Sequence, residues 1–318
     1  MGINSMKLER ITPQQYSDLI DDCTILFNKG RFGELNKHKV NEVIYLCINE
    51  DNNPVFGLMG GRKNRTFMCP FSAPFSFPVS LKKNTRMISY DQSLDVLMNY
   101  LNSEGFENII ITFPPMFYDE HNLSAWVNVF FRNHFSVKNA EIDYALYLDE
   151  LNTDYYQYMI WKKARKHLRK AISSGCMIRE AKNDEDMNIA YNIIKKNHDT
   201  KNRETSMTLQ EIINTSSLDK HDAFIARIDG VDVAAMIYCA LNDRIVICRY
   251  SGYLSEYGSS GAMNYLSYYG IKYYGDRGYK IIDRAKSSDD SIPNYGLCDF
   301  NESIGGRRSI KYTFEKRI

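Results

Sequence analysis

The sequence is most restrictive in what it lacks. No C-x-x-C pair occurs, and the six histidines never take a spacing that puts two ligands on one helical face, so no structural zinc site is expected. The seven cysteines, Cys23, Cys47, Cys69, Cys176, Cys239, Cys248 and Cys298, are odd in number and scattered, and read as reduced core fillers. No segment is long and apolar enough to span a bilayer. The opening residues MGINSMKLER also lack the apolar stretch of about 7–15 residues found in signal peptides, so a cytosolic location is expected. Net charge is almost absent: 40 Lys and Arg against 39 Asp and Glu leave +1. No global field then draws the chain to nucleic acid or anionic lipid, and any anion site must be local. No sustained heptad pattern marks a coiled-coil arm.

What is present is an ordinary folded composition, 44% hydrophobic and 25% charged, which excludes extensive disorder. A chain of 318 residues exceeds one hydrophobic core, so two domains are expected, 1–152 and 153–318. In the first half the pattern gives a strand at 7–11 and a helix opened by Thr12-Pro13 and running to about 27. A hairpin follows at 42–50 and 55–60, then a strand at 65–70, a helix at 91–105, a strand at 109–111, a helix at 123–131 and strands at 137–140 and 144–148. The second half repeats the plan more clearly. A basic helix at 156–174 precedes a strand at 177–180 and helices at 184–197 and 209–214. An antiparallel meander at 223–228, 233–241 and 244–253 turns tightly at Asp229-Gly230; a long helix at 261–276, a strand at 279–284, a short helix at 297–304 and a strand at 309–314 complete it. This order is α+β, and the absence of βαβ units throughout disfavours a Rossmann domain.

The segment 247–283 carries the clearest chemistry. Gly258-Ser259-Ser260-Gly261, flanked by Tyr257 and Ala262, joins a strand to the start of a long helix, whose unpaired amides could hold the pyrophosphate of an acyl-CoA. The other reading is that Ser259 or Ser260 caps the helix and the glycines make the turn. If backbone approaches pyrophosphate here, Gly261→Val should abolish acyl-CoA binding with little loss of fold. The basic helix sets Lys162, Lys163, Arg165, Lys166, Arg169 and Lys170 within nine residues, beside an apolar stripe of Ala164, Leu168, Ala171 and Ile172. Its charges are either a solvated face or a diphosphate clamp for a nucleotide-linked acceptor, in which Arg165 and Arg169 would use their planar forks.

Taken together, KKARKHLRKAISSG (162–175), the strand MIREA, the meander ending in YSG, the helix closing in DRGYKIID, and GLCDFNESIGG (296–306) follow one another as in FemAB/FemX-type proteins and related tandem GNAT acyltransferases of surface-polysaccharide loci, which residues 155–318 resemble. CPFSAPFSFP (69–78) resembles the P-x-x-A-P-F-G-G loop of the polysaccharide-associated members, with Ser76 at the first glycine. The resemblance implies two GNAT-like domains in tandem, with mixed sheets and helices on both faces. It also implies N-acyl transfer to the amine of a nucleotide-linked sugar or cell-envelope precursor, as in polysaccharide biosynthesis. The donor is acyl-CoA in the sugar-modifying branch and aminoacyl-tRNA in the peptidoglycan branch. The peptidoglycan-branch pattern G-L-x-x-F-K here reads Gly296-Leu297-Cys298-Asp299-Phe300-Asn301, and asparagine in place of lysine, with the neutral net charge, favours acyl-CoA over tRNA.

By the same resemblance Tyr295 stands roughly where GNAT enzymes place a tyrosine acid, against ordinary packing. Asp283 could deprotonate or orient the amine, or simply pair with Arg284. Tyr250 and Ser251 are candidates to line the cleft. In the first half the loop 71–78, with Ser72 and Phe75, is either an acceptor-binding lid or a hydrophobic plug. Asp91-Gln92-Ser93 lacks glycine, so that domain is expected to bind no cofactor. A non-enzymatic alternative is a degenerate tandem GNAT that binds a ligand or partner without turnover.

Overall fold

Thr12 starts the first helix as its chemistry requires. In the computed structural model, which describes residues 5–151, 154, 156–202 and 205–318, strand β1 (Met6–Arg10) leads to helix α1 (Pro13–Ile20). The Thr12 hydroxyl accepts the Gln15 amide, the Gln15 side chain accepts the Thr12 amide, and Pro13 sits where no amide is needed. The helix stops at Ile20 rather than near 27, because the buried Asp21 carboxylate accepts the Gly30 amide (2.6 Å) and Arg31 Nε (2.8 Å). Those bonds turn the chain into a further helix, α2 (Gly30–Asn36).

The chain divides into unit 1, Met1–Glu141 with Ile310–Ile318, and unit 2, Ile142–Ser309. The boundary expected at residues 152 and 153 falls on positions outside the described residues. In unit 1, β2 (Glu42–Glu50) and β3 (Asn53–Lys63) form a hairpin through Asp51 and Asn52, both at positive φ (49° and 64°), the geometry of a tight twisted turn. After β4 (Thr66–Cys69) and the short β5 (Val79–Ser80), α3 (Met87–Ser103) crosses to β6 (Asn108–Thr112), which pairs parallel to β4. Helix α3 thus begins before Asp91, at Met87. Helix α4 (Glu120–Arg132) packs Trp126 against Phe56 and Tyr90, with ring centroids 5.1 and 5.3 Å apart. The next strand, β7 (Ser136–Tyr147), is continuous where two were expected, because Glu141 and Asp143, which interrupt the apolar pattern, are themselves buried.

Unit 2 opens with α5 (Tyr156–Met159) and α6 (Lys162–Ser173), two helices where one basic helix was expected. Trp161 is extended (φ −60°, ψ 148°), and its amide goes to the Ser303 carbonyl at 3.1 Å instead of into a helix. Then come β8 (Met177–Glu180), α7 (Asp184–Asp199), α8 (Leu209–Ser216) and the meander β9 (His221–Ile228), β10 (Val231–Ala240) and β11 (Ile245–Tyr253). Asp229 and Gly230 both take positive φ (49° and 80°), as their dipeptide predicts. Helix α9 (Ala262–Gly275) crosses to β12 (Ile281–Lys286), and the short strands β13 (Ser288–Asp289) and β14 (Ile292–Pro293) precede α10 (Tyr295–Ser303) and β15 (Arg307–Arg317).

The strand order in unit 2 is β7-β12-β11-β10-β9-β8, antiparallel except for the parallel pair β11–β12. Side chains alternate across the sheet. Phe224, Ala226, Met236 and Tyr238 pack into a cluster with Leu168 of α6 and Leu266 of α9, while Ala223, Ile225, Ala235 and Ile237 pack with Ile193, Ile194 and Ile212 of α7 and α8. Burial on both faces explains the near-continuous apolar runs of β9 and β10. The end of β15 pairs with β6 in unit 1, from Thr313 opposite Thr112 to Arg317 opposite Asn108. Phe224 is wholly buried, with the rings of Tyr269 and Tyr273 at 5.0 and 4.8 Å. Phe224→Ala is expected to destabilise unit 2 by about 3–5 kcal/mol, read as a lower urea midpoint.

Candidate functional site

The parallel pair β11–β12 is short. Its register covers residues 245–247 against 281–283 and stops there. Beyond that point β12 is irregular against β7, and Ala285 takes φ 59°, a reversal held by Asp283 Oδ1, which accepts the Ala285 amide at 2.6 Å. Strand β11 instead runs on to Tyr253 beside α7, still paired with β10 through a bulge at Arg249 opposite the Ile237–Tyr238 step. Gly252 is required there, since a Cβ would lie 2.8 Å from Ile194 Cα, and Asn197 Nδ2 donates to the Tyr253 carbonyl at 2.7 Å. Residues 248–253 and 284–289 therefore line a cavity of about 960 Å³, together with Trp161, Lys163, Ala164 and His167 around α6 and the first residues of α9.

The start of α9 is packed on α6. Gly261 adopts φ +84°, and a Cβ at that position would meet the His167 carbonyl oxygen at 2.1 Å. Ser260 Oγ accepts the Ala262 amide at 3.2 Å, and Lys170 Nζ donates to the Ser259 carbonyl at 2.8 Å. Tyr257, Gly258, Gly261 and Ala262 line the cavity; Ser259 and Ser260 are not among the lining residues. The expectation that Gly261→Val leaves the fold nearly intact is thereby corrected, because glycine is demanded by the left-handed backbone and by the contact with α6.

The remaining candidates disperse. Tyr250 lines the cavity, its hydroxyl 2.8 Å from Ser206 Oγ, and Ser251 lies beside it. Asp283 is fully buried at the reversal and is not a lining residue, whereas Arg284 is. Tyr295 heads α10 at 75% exposure, outside the cavity lining. Arg165 and Arg169 are also absent from the lining, and Arg169 donates Nε and Nη2 to Gln157 Oε1 at 3.0 and 2.8 Å. Ser72 and Phe75 belong to unit 1. Ser72 donates to Asn36 Oδ1 at 2.9 Å, and Phe75 is buried between the rings of Phe27 and Tyr118, at 5.3 and 4.7 Å.

On α6 the residues that reach the cavity are Lys163 and His167, an i, i+4 pair offset by two positions from Arg165 and Arg169. Two positions is about 200° around a helix, so the two pairs point nearly opposite ways. Lys163 and His167 flank Ala164 and Leu168 of the apolar stripe, and that adjacency was available in the sequence. Desolvation, with Lys163, Lys170 and Lys166 nearby, pushes the His167 pKa below its ordinary value, which keeps the imidazole neutral at pH 7. Among the described residues the lining carries the cations Lys163, Lys201, Arg249, Arg284 and Lys286 against the carboxylates Asp289 and Asp299. A smaller cavity in unit 1, about 450 Å³, differs in kind: Arg10 pairs with Glu42, and Lys37 with Glu34 at 3.1 Å. Among the described residues no three His, Cys, Asp or Glu side chains gather as metal ligands, and no helix is long and apolar enough to cross a membrane.

Solved structures share this architecture over nearly the whole chain. FemX superposes with a TM-score of 0.70 at 12% identity, covering 98% of this chain and 97% of that one. This is a FemX-like tandem GNAT fold. The tandem GNAT protein of the clavulanic acid biosynthesis pathway matches at TM-score 0.55 and 8% identity over 98% of each chain. L-PGS from Bacillus licheniformis matches at 0.59 and 11%, covering 96% of this chain and 92% of that one. No family model and no curated protein matches the sequence. The mixed α+β fold expected from the sequence is thus present in full, and the GNAT likeness extends through both halves.

Two outcomes follow from the α6–α9 contact. Gly261→Val is expected to lower stability by more than about 2 kcal/mol, from backbone strain and overpacking together, measured by urea denaturation without ligand. A depressed histidine pKa means the unfolded chain binds the proton more readily. The stability contributed by a neutral His167 is then present above the ordinary histidine pKa of about 6.5 and is lost as pH falls through the folded value. His167→Gln should flatten that acid-side loss, seen by comparing urea midpoints of wild type and variant from neutral pH downward.

Proposed function

We propose that unit 2 is an N-acyltransferase that moves an acyl group from acyl-CoA to an amine on a cell-envelope precursor or nucleotide-linked sugar. The observation that carries this reading is the parting of β11 and β12 into a cavity with surplus cations, with the amide-bearing start of α9 on its wall. An anionic cofactor is favoured there by charge and by the helix terminus together. The tandem GNAT neighbour, described in a form without AcCoA, supports the same donor.

The reaction needs a base and an acid but no covalent intermediate. The amine attacks the thioester carbonyl; the neutral His167 takes the proton that the attacking nitrogen sheds, and the Tyr250 hydroxyl returns one to the leaving thiolate. Holding both substrates in one cavity supplies most of the remaining rate by orientation. Tyr295 and Asp283, one in solvent and one beneath the strand reversal, support this cycle less well than His167 does.

A second donor, aminoacyl-tRNA, is favoured by one observation: among the described residues none of the six cations of α6 has a carboxylate partner, although Lys170 and Arg169 bond to neutral oxygens. Such a face suits a phosphate backbone. Acetyl-CoA is expected to raise the melting temperature, and His167→Ala to lower kcat by roughly 10²- to 10⁴-fold. No shift with acetyl-CoA, combined with retention of aminoacylated tRNA in a gel at physiological salt that Lys162→Glu/Lys166→Glu abolishes, would replace the first donor by the second. A protein that binds neither and transfers nothing is not an acyltransferase.

A further inference from the structure

Arg284 is a buried cation with no ion pair among the described residues. It is 7% exposed, it lines the cavity, and no carboxylate of the described residues lies within ion-pairing distance of it. Its Nε donates to Asn301 Oδ1 at 3.2 Å and its Nη1 lies 3.7 Å from Met236 Sδ. Its other neighbours, Tyr238, Tyr156 and Cys248, are phenols and a thiol whose own pKa values burial pushes up, so none carries a balancing negative charge at neutral pH. The adjacent Asp283 points to the opposite side of the strand and is engaged by the Ala285 amide. A guanidinium cannot shed its proton to escape burial, and an isolated buried charge is costly.

The network behind Arg284 fixes its direction. Asn301 is wholly buried; its Oδ1 receives Arg284 Nε while its Nδ2 donates to Ser287 Oγ at 3.0 Å. Both ends of the amide are committed, so the guanidinium is held by its Nε edge and by Nη1, which is turned to the buried Met236 Sδ, and this leaves Nη2 for a ligand in the cavity that Arg284 lines. Ser287 Oγ, already accepting from Asn301, keeps its own proton to donate, and Ser287 lines the same cavity. The outcome is one guanidinium nitrogen and one hydroxyl donor side by side, with the guanidinium carbon 5.9 Å from the Phe300 ring centroid.

We infer that Arg284 and Ser287 receive a carboxylate of the ligand that fills this cavity, so that the acyl acceptor is an amino acid or a compound ending in one. The Arg284 nitrogen and the Ser287 hydroxyl offer two donors to two oxygens, the number a carboxylate presents. Naming that ligand as the acceptor rests on the proposed acyl transfer; the anion site itself does not.

The test is therefore run without any acyl donor. Wild type, Arg284→Met and Arg284→Lys are titrated with alanine, alaninamide or inorganic phosphate at matched ionic strength, and the melting temperature is followed. Alanine is expected to stabilise wild type and alaninamide is not. Apparent alanine affinity should fall roughly 10- to 100-fold in Arg284→Met, whose melting temperature without ligand should match or exceed that of wild type, because an apolar side chain removes an uncompensated buried charge. Should Arg284→Met fail to fold, Arg284→Lys carries the comparison, with an expected loss of about tenfold from replacing the anchored planar guanidinium by a mobile point charge. Equal responses to alanine and alaninamide, a stronger response to phosphate, or unchanged affinity in the variants overturns the inference. Acyl-CoA binding is unaffected by any of these results, and a failure to bind acyl-CoA leaves the carboxylate site standing.

Discussion

Three residue pairs, from Ile245 with Ile281 to Ile247 with Asp283, hold β11 parallel to β12, and the cavity begins where they end. Parallel strands joined by a helix would continue side by side unless something redirected one of them. Here both strands are instructed. Strand β11 is held to its course by β10 and by the close seating of α7 on Gly252, while β12 is turned aside by the Asp283 carboxylate acting on the Ala285 amide. The space between is stable because each strand has a partner elsewhere, so separating them leaves no ladder of unpaired amides. The functional groups carried by these two strands and the turn after them, Tyr250, Arg284 and Ser287, hang on that divergence.

The second constraint is the approach of α9 to α6. The Gly261 backbone fits against the His167 carbonyl, which sets the start of α9, the position of Lys163 and His167, and the loop from Tyr257 to Ala262 in one arrangement. A feature that reads from sequence as a ligand loop is thus also a packing joint. The two roles are compatible: a rigid helix start presents its amides in a fixed direction, and preorganised donors are more effective than mobile ones.

How much could be read in advance depended on how local the cause was. Thr12 capping α1, Asp229-Gly230 turning the meander, and the order of strands and helices were legible because each is settled within a few residues. The break at Trp161 was not, because its amide is taken by a carbonyl some 140 positions away, at Ser303. For the site, the helix start at Gly261 was legible and its cause was not. The offset between Arg165/Arg169 and Lys163/His167 was within reach, since charges beside an apolar stripe face partly inward and charges opposite it do not. Arg284 entered only as one alternative, a partner of Asp283, although neighbours along a strand point to opposite faces and rarely pair. Asn301 stood out only as a departure from a pattern; its burial between Arg284 and Ser287 gives the substitution a physical content that no spacing reveals.

The path of the last strand has a consequence for dissecting the chain. Residues 310–318 belong with unit 1, where β15 covers β6, although everything just before them belongs to unit 2. A fragment ending near Glu141 would leave the apolar β6, with Ile109 and Ile111 in its core, displaying an open row of amides and carbonyls. Such an edge invites pairing between molecules. The first unit is therefore not a segment that can be cut out at one point; a soluble version would have to carry the final strand, linked back by a new turn, as in a circularly rearranged chain.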